Sequence, residues 1–350
     1  MGTAAALPPR SEMLAAVRRR DARYEGVFVL AVRTTGVACR PGCPARTPRP
    51  ENVEFFADLE AAEAAGFRPC RRCRPERAAG AAPGWMAELV AELERHPART
   101  LGDEDLAARG LEPRRVRRTW RAHTGQTFHA WQRARRLGLA HDALRAGRGP
   151  DAAGFDAGYG SASGFREAFG KLFGAPPGRA ARDARVLRAR LLTSPLGPLL
   201  VAAGDEGLCL VEFSDRKGLP GQARSLVRWH DAVVVPGEHA HLAQLERELE
   251  QYFAGRRTRF EVPLDLRGPP FHVAVWRALL EIPPGETRAY AELARALGRP
   301  DAQRAVASAN GANRLSIVVP CHRVIGSDGR LVVYGGGLWR KRRLLELERR

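Results

Sequence analysis

Residues 316–324 read SIVVPCHRV, and this stretch decides how the C-terminal part of the chain is interpreted. The β-branched apolar run at its start is typical of a buried strand, and a cysteine and a histidine follow where that strand would end. Cys321 is therefore either a small buried hydrophobe with His322 as its polar neighbour, or a nucleophile. The rest of the sequence has to separate the two interpretations.

The chain has 350 residues, enough for two or three domains that each bury a core. Its net charge is +18, and the excess is spread as +5 in residues 1–80, +5 in residues 81–180 and +8 in the remainder. Only three of the 57 basic residues are lysines, so genomic base composition can account for arginine over lysine. Base composition does not explain why basic residues outnumber acidic ones. This excess of positive charge favours nucleic acid as the partner.

No segment approaches the roughly 18 uncharged apolar residues of a membrane helix, and the N-terminus lacks the core of a signal peptide. We therefore expect a cytoplasmic protein with no membrane partner. In that compartment six cysteines, four of them in close pairs, favour a metal site or catalysis over disulfides.

Three shifts in composition divide the chain. They fall at residues 78–84 (AAGAAPG), at residues 175–183 (APPGRAARD) and near Gly268. After the second shift, LRARLLTSPLGPLLVAAGDEGLCLVEF predicts two or three short strands joined by Gly and Pro turns, with Cys209 packed in one of them. The predicted domains are residues 1–80, 84–182, 187–266 and 267–350.

Four cysteines near the N-terminus have the spacing of a metal site. They are Cys39, Cys43, Cys70 and Cys73, two tight pairs separated by a loop. Four thiolates arranged in this way select zinc over magnesium or calcium, and a bound ion helps so short a segment to fold. We therefore predict zinc as the cofactor.

The residues around these cysteines, FVLAVRTTGVACRPGCPAR, ENVEFF and AAGFRPCRRCRP, resemble the N-terminal domain of the Ada family of adaptive-response regulators, which repair alkylated DNA. The resemblance implies that Cys39 accepts a methyl group from a DNA methylphosphotriester. Conversion of one thiolate to a thioether removes a negative charge from a surface that approaches phosphates. DNA affinity should then rise, helped by the surrounding arginines.

Residues 85–174 predict consecutive helices with two helix-turn-helix units. Four arginines (Arg114, Arg115, Arg117 and Arg118) lie on the first candidate recognition helix, and Arg166 lies on the second with Lys171. An arginine-rich helix can also be a solvated face. The run GYGSASGFREAFGKLFGAPP, however, resembles the second helix-turn-helix of AraC-type regulators, which implies that Arg115, Arg118 and Arg166 contact DNA. Glu112-Pro113 replaces the serine cap that is usual before the first recognition helix.

The last 80 residues predict three short helices (FHVAVWRALLEI, AYAELARALG and DAQRAVASAN) followed by hairpin-like strands, an arrangement typical of a winged helix-turn-helix. The helix DAQRAVASAN would face DNA. A nucleophile next to such a helix points to chemistry on DNA.

This region and its PCHRV motif resemble the O6-alkylguanine-DNA alkyltransferases. The resemblance implies that Cys321 takes the alkyl group, that His322 acts as its base through a water, and that Glu348 orients the histidine. It further implies roles for residues that brace the active-site turn (Asn313), protonate guanine (Tyr290), fill the stack after base flipping (Arg304), and bind the extruded guanine (Val324, Tyr334 and Gly335). Because the product is a stable thioether, the protein should act once.

Together the resemblances imply a multidomain α+β chain: a four-cysteine zinc domain, an all-α AraC-type double helix-turn-helix, a ribonuclease-H-like α/β subdomain, and a winged-helix alkyltransferase domain. The implied function is repair of O6-methylguanine, O4-methylthymine and methylphosphotriesters, coupled to transcriptional regulation. The implied partners are damaged double-stranded DNA and a promoter operator, with RNA polymerase as a further candidate. The expected state is a monomer.

Two alternatives remain open at this point. Val332 and Val333 stand where the alkyltransferases commonly carry a glycine or a small polar residue, so this loop could block guanine and leave the last domain as a DNA clamp in a zinc-dependent regulator. A Cys-His hydrolase is the third possibility. It requires a special turn, because adjacent side chains on an extended strand point to opposite faces. Singly, Tyr290 could be a core aromatic, Glu348 a surface charge and Arg304 a phosphate contact.

Overall fold

The computed structural model describes residues 7–21, 24–76, 82–216 and 218–349. The first predicted linker, residues 78–84, lies mostly outside these ranges. In the described ranges, no helix combines the length and the apolar character needed to span a bilayer.

A small four-stranded sheet forms the N-terminal domain. Its elements are α1 (Arg10–Arg19), β1 (Val29–Val32), β2 (Val37–Cys39), β3 (Val53–Phe56), α2 (Leu59–Ala64) and β4 (Arg68–Pro69). The strand order is β3-β1-β2-β4, antiparallel except for the β2–β4 pair. Because β2 and β4 run parallel, the segments that follow them leave the sheet at the same edge.

Seven helices follow in the part of the chain from residue 82 to residue 184 that the structure describes. They are α3 (Gly84–Arg95), α4 (Asp103–Ala108), α5 (Pro113–Thr124), α6 (Phe128–Arg145), α7 (Pro150–Asp156), α8 (Ala162–Phe173) and α9 (Pro177–Asp183). The pairs α4–α5 and α7–α8 are the two predicted helix-turn-helix units. The 18-residue helix α6, about 27 Å long at 1.5 Å per residue, connects them.

The sequence explains where the second helix of each unit begins. Glu112 caps α5 without a serine, since its carboxylate accepts from the backbone N–H groups of Arg114 and Arg115 at 2.9 and 2.8 Å. Ser161 caps α8 by accepting from the N–H of Gly164 at 3.2 Å. In the turn before α8, Gly158 has φ +78°, and an added Cβ would lie 2.4 Å from the carbonyl oxygen of Ala98. Only glycine fits there.

A mixed sheet follows the helices, as the sequence predicted. It consists of β5 (Arg185–Leu192), β6 (Leu199–Gly204), β7 (Gly207–Phe213) and β8 (Ala232–Pro236), with α10 (Leu219–His230) and α11 (Ala240–Phe253) beside them. The order is β7-β6-β5-β8, and only β5 and β8 are parallel. Cys209 lies buried within β7.

The C-terminal domain is mostly helical. It contains α12 (Pro270–Leu280), β9 (Arg288–Ala289), α13 (Tyr290–Ala296), α14 (Gln303–Gly311), β10 (Val324–Ile325) and α15 (Leu338–Glu348). Two expectations were wrong. Residues 316–319 form turns and not the predicted strand. In place of the predicted hairpin-like strands there is a two-residue parallel pair, β9 with β10, and a loop follows it.

The helical block and the mixed sheet share one apolar core. Val235 of β8 is fully buried with Leu137 and Ala140 of α6. At the edge of this contact Arg188 of β5 forms an ion pair with Asp142 of α6. The second core, around β6, β7 and α11, extends without interruption to Cys321 and α15. The turn that carries Cys321 therefore rests on a rigid base.

Candidate functional sites

The four N-terminal cysteines meet at one edge of the first sheet. Cys39 ends β2, and Cys70 follows β4 directly, with its N–H donating to the carbonyl of Ala38 at 2.9 Å. Cys43 and Cys73 lie in the turns that come next. The parallel pairing of two short strands thus brings both cysteine pairs together across 26 intervening residues.

The geometry of this cluster fits zinc. All four sulfur atoms lie within 4.8 Å of one another, and a tetrahedral ion with Zn–S bonds of about 2.3 Å places its sulfurs about 3.8 Å apart. Hydrogen bonding to Cys43 and Cys73, together with burial, raises the pKa of Cys39. Four thiolates can coexist here only around a cation, so the residues present suit the metal.

Positive charge surrounds the cluster. Five arginines flank the cysteines in the sequence, Arg40, Arg46, Arg71, Arg72 and Arg74, and all except Arg40 are exposed. Arg33, which the sequence also placed near the cluster, lies instead in the hairpin turn at the other end of β1 and β2, where it pairs with Glu54 at 3.6 Å. Arg40 is held in place instead: its guanidinium donates to the carbonyl of Arg74 at 2.8 Å and lies 3.8 Å from the carboxylate of Glu25. The exposed arginines can meet phosphates, while Arg40 connects the turns that carry the cysteines.

The second candidate nucleophile lies on a braced turn. Cys321 begins a 3₁₀ turn, Cys321–Arg323, and is 5 % exposed. Just before it, Ile317 has φ +74°, a conformation that costs a β-branched residue about 1–3 kcal/mol. Asn313 holds this segment, since its Nδ2 donates to the carbonyl of Val319 and its Oδ1 accepts from the N–H of Leu315, both at 2.9 Å. The predicted bracing residue is therefore positioned to brace.

His322 and Glu348 form a buried pair. Nε2 of His322 lies 2.9 Å from Oε1 of Glu348, with both side chains at most 1 % exposed. Burial opposes ionisation of Glu348, yet hydrogen bonds from His322 and Arg323 hold its pKa well below the usual range. An ionised carboxylate only accepts, so Nε2 carries the proton. Nδ1 keeps its lone pair, and it has no hydrogen-bond partner among the described residues.

Burial lowers the pKa of His322, which makes the imidazole neutral at pH 7. The pKa of the Cys321 thiol is raised, mainly by burial, although the Asn313 side chain counteracts this. No direct hydrogen bond joins Cys321 to His322 in the described part of the chain. The direct Cys-His dyad that a hydrolase needs is therefore not formed, and a proton has to pass through an intervening molecule.

Three residues of this site were not predicted from the sequence. Arg323 donates to both carboxylate oxygens of Glu348 at 2.7 and 2.8 Å, and the hydroxyl of Tyr252 donates to the same group at 2.8 Å. Lys341, fully buried, donates to the carbonyls of Val324 and, at 3.0 Å, of Val332.

A signal for Lys341 was present in the sequence. Lys341, Leu344, Leu345 and Glu348 share one face of α15 at helical spacing, and a lysine on a buried face demands partners. Tyr252 and Arg323 left no such signal, because their shared partner lies 96 and 25 residues away along the chain.

A cavity of about 630 Å³ opens beside Cys321. This volume is within the range of small-molecule sites. Val332 and Val333 belong to its wall, with Val333 83 % exposed at the rim, and Cys321 lines the same cavity. The loop therefore borders the cavity without sealing it off from Cys321, which favours the alkyltransferase interpretation over a DNA clamp.

Most of the predicted guanine-binding residues border this cavity. Tyr290, Tyr334 and Gly335 line it, whereas Val324 is fully buried and does not belong to its wall. Burial raises the pKa of Tyr290, so its hydroxyl keeps its proton near neutral pH. The hydroxyl of Tyr334 is buried and makes no hydrogen bond with the described residues.

The predicted DNA contacts lie on the surface. Arg304 is exposed on α14, and Arg115 and Arg118 are exposed on α5; within the described ranges none of the three side chains forms an ion pair. Arg117 differs, because it pairs with Asp103 at 2.8 Å. Arg166 is exposed on α8 but forms an ion pair with Asp151 of α7 at 2.6 Å.

Family models match the chain along most of its length. They are the metal binding domain of Ada (residues 12–76), a helix-turn-helix domain (residues 106–193), and the ribonuclease-like and DNA binding domains of 6-O-methylguanine DNA methyltransferase (residues 187–266 and 270–350). With the four-cysteine cluster, the first match identifies zinc as the metal. The predicted fold class is confirmed.

The chain is 38 % identical over 338 residues to the bifunctional transcriptional activator/DNA repair enzyme Ada of Escherichia coli (strain K12), covering 95 % of this chain and 94 % of that protein. It is 45 % identical over 164 residues to the methylated-DNA–protein-cysteine methyltransferase of Mycobacterium leprae, covering 47 % of this chain and 93 % of the other. The crystal structure of Mycobacterium tuberculosis O6-methylguanine methyltransferase is 44 % identical, with a TM-score of 0.41, and covers 47 % of this chain and 93 % of that one. The chain therefore belongs to the Ada family of DNA-repair methyltransferases and transcription regulators.

Proposed function

We propose that the protein repairs alkylated DNA with two single-use methyl acceptors: Cys321 for O6-methylguanine and O4-methylthymine, and Cys39 for methylphosphotriesters. The observation that carries the first assignment is the Nδ1 of a neutral His322 next to Cys321, which has no hydrogen-bond partner in the described part of the chain, with Nε2 fixed by Glu348. This arrangement supplies a base where a buried thiol otherwise stays protonated.

At Cys321 the thiol proton passes through one water to Nδ1 of His322. The thiolate then attacks the methyl carbon, the bond between that carbon and guanine O6 breaks, and the electron pair returns to the base. The Tyr290 hydroxyl protonates guanine N3, and the proton held by His322 passes through solvent to replace the one that Tyr290 gave. One methyl group is exchanged for one proton, and no good leaving group remains on sulfur.

Access to the methyl carbon requires a flipped nucleotide. Arg304, exposed on the helix that faces DNA, would fill the stack that the base leaves. The cavity beside Cys321 would hold the guanine between Tyr290 and the loop that contains Tyr334 and Gly335. The backbone of Val324 and Gly335 would hydrogen-bond the base, and Asn313 would keep the turn in place.

At Cys39 a methylphosphotriester loses its methyl group to sulfur, and the electron pair of the broken C–O bond restores the phosphodiester charge. Bound zinc keeps the four sulfurs ionised and still nucleophilic at neutral pH. The exposed arginines beside the cluster would hold the neighbouring phosphates, and Arg40 would keep the two turns together.

Methylation of Cys39 would also act as a switch. Four thiolates around Zn²⁺ give a net charge of about −2, and one methylation reduces it to about −1. The helix-turn-helix surfaces, with Arg115, Arg118 and Arg166, would then bind a promoter operator more tightly. An operator affinity that does not change after stoichiometric methylation of Cys39 would contradict the switch.

The proposed setting is the cytoplasm, where reducing conditions keep six free cysteines available. There the chain would work as a monomer on double-stranded DNA, and at an operator it would contact RNA polymerase. The proposed domain limits are residues 1–80, 84–182, 187–266 and 267–350.

The test uses zinc-loaded protein mixed with excess duplex DNA that carries either O6-methylguanine or a methylphosphotriester, followed by peptide-resolved mass spectrometry. We expect one methyl group on Cys321 from the first lesion, one on Cys39 from the second, and no further turnover. Cys321→Ser should lose only the first reaction. Cys209→Ala is the matched control, since Cys209 is equally buried but lies outside the site. An unmethylated Cys321 in a chain that still binds DNA would support the clamp instead.

A further inference from the structure

Arg216 is a cation in the cavity wall that the reaction above does not use. It follows β7, its side chain is only 12 % exposed, and it lines the cavity together with Cys321 and Tyr290. Its Nη1 pairs with the carboxylate of Glu212, and its Nη2 donates to the carbonyl of Gly311 at 2.7 Å.

Glu212 fixes this cation from behind. Its carboxylate is fully buried in β7 and accepts from the N–H of Phe213 at 3.0 Å and from the hydroxyl of Ser316 at 3.1 Å. Ser316 belongs to the strained turn that leads to Cys321. The Arg216–Glu212 pair therefore connects the mixed sheet to the turn of the nucleophile, and the guanidinium has a defined position.

The same guanidinium lies against the loop that borders the cavity. A Cβ added to Gly335 would lie 2.5 Å from Cζ of Arg216 and 2.8 Å from both Nε and Nη1. Gly311, the other partner, is the last residue of α14. Arg216 thus contacts both the helix that faces DNA and the loop opposite it.

We propose that Arg216 is a positioning residue for alkyl transfer, which holds Gly335 and the C-terminal end of α14 at the spacing of a flipped guanine and places a positive charge beside the reacting atoms. The inference rests on the proposed function, in which the backbone of Gly335 binds the base. A fixed cation next to a buried thiol favours both a thiolate and an electron pair that returns to guanine.

The charge balance at Cys321 supports this role. The charged groups that act on the thiol are Glu212, Arg216 and Lys341: Glu212 disfavours its ionisation, and the two cations favour it. Burial raises the pKa of Glu212, so without Arg216 this carboxyl would take up a proton, and the thiol would lose the cation that favours its ionisation. The two effects, a displaced loop and a less reactive sulfur, can be measured separately.

The test compares Arg216→Gln with Arg224→Gln, which removes the same charge from the exposed face of α10. Both full-length, zinc-loaded variants are assayed for the single-turnover rate of Cys321 methylation by an O6-methylguanine duplex and for affinity for the undamaged duplex. The rate of Cys321 alkylation by iodoacetamide is followed from about pH 6 to about pH 10. We expect Arg216→Gln to slow methylation at least about tenfold, to shift the iodoacetamide profile to higher pH, and to change DNA affinity less than about twofold.

Arg216→Lys separates the two effects, because it keeps the charge but lacks the planar fork. It should restore the iodoacetamide profile while methylation stays slow. A wild-type methylation rate in folded Arg216→Gln would overturn the proposal. So would a slower methylation rate that is fully explained by a lower folded fraction while the pH profile of iodoacetamide alkylation stays unchanged. If the wild-type chain itself accepts no methyl at Cys321, the proposed function fails, irrespective of Arg216.

Discussion

Cys39 and Cys321 are almost equally buried, at 7 % and 5 % exposure, but the groups that surround them differ. Cys39 lies among three other cysteines in a domain with a small core, next to exposed arginines. Cys321 lies in a large continuous core, on a strained turn beside a neutral histidine. The first site obtains its thiolate from a metal and the second from a base.

The difference shows which parts of each site have to be rigid. A metal collects its ligands from two separate turns, so the zinc domain needs only two short parallel strands to bring the turns together. A base must be oriented by the protein itself, and the second site accordingly contains a buried network that extends from Tyr252 to Glu348. The following predictions ask whether the two acceptors are as independent as this comparison implies.

Removal of zinc should have the largest effect, on one acceptor only. After chelation, methylation of Cys39 by a phosphotriester should be abolished, because the clustered thiolates lose their cation and the small core its support. Methylation of Cys321 should change less than about twofold, since the proposed source of its thiolate is His322. Both rates, measured before chelation, after it and after zinc is restored, check this. An equal loss at Cys321 would mean that both acceptors depend on the metal.

Glu348→Gln should slow methylation at Cys321 by about 100-fold or more and leave Cys39 unaffected. The amide removes the charge that fixes the proton on Nε2 of His322, and in related triads the loss of this orientation has effects of that size or larger. Glu346→Gln is the matched control on the same helix, as Glu346 pairs with Arg343 at the surface. Single-turnover rates with O6-methylguanine DNA decide the outcome. Equal rates for both variants would exclude a role for Glu348 in the transfer.

Arg115→Gln and Arg118→Gln should each weaken operator binding by about threefold to tenfold. Each should also lower the number of counterions released on binding by about one, as read from the slope of log affinity against log salt concentration. Neither change should affect methylation of Cys39 or Cys321. Arg117→Gln should do less, because Arg117 is already paired with Asp103. Binding titrations at several salt concentrations measure both quantities. A larger effect of Arg117 than of Arg115 would show that the assignment of DNA-facing side chains is wrong.

The smallest expected effect concerns pH. Burial lowers the pKa of His322 in the folded chain, so below about pH 6.5 the unfolded chain binds the extra proton and stability falls as the pH decreases. The low pKa of Glu348 adds a further loss below about pH 4.5. One histidine can contribute a slope of at most about 1.4 kcal/mol per pH unit. His322→Gln should reduce the slope of the unfolding free energy between about pH 6.5 and about pH 5. An unchanged slope would mean that His322 has no shifted pKa.

Much of this account could be predicted from the sequence where the signal is local. The spacing of four cysteines predicted the zinc cluster, and turn residues predicted the strands from Arg185 to Phe213. The turn at residues 316–319 could not be predicted, because its β-branched residues favour a strand and only tertiary contacts override them. Those contacts are the hydrogen bonds from Asn313 and the pairing of Leu315 with Val211.

Long-range polar pairs escaped prediction for the same reason. Ser316 and Glu212 are 104 residues apart, and nothing near either one indicates the other. The PCHRV motif indicated the nucleophile and its base, but the groups that hold them come from β7, α11 and α15. The individual roles of Tyr290, Arg304 and Gly335 stay predictions.

The most direct test of the central claim gives one sample of the zinc-loaded chain both lesions at once, with CD₃ on guanine O6 and CH₃ on the phosphotriester. Peptide-resolved mass spectrometry then shows which cysteine carries which label. We predict a single CD₃ on Cys321 and a single CH₃ on Cys39, with neither reaction altered by the presence of the other lesion. Either label on the opposite cysteine, or a Cys321 that reacts only after zinc is bound, would contradict two acceptors activated by separate means.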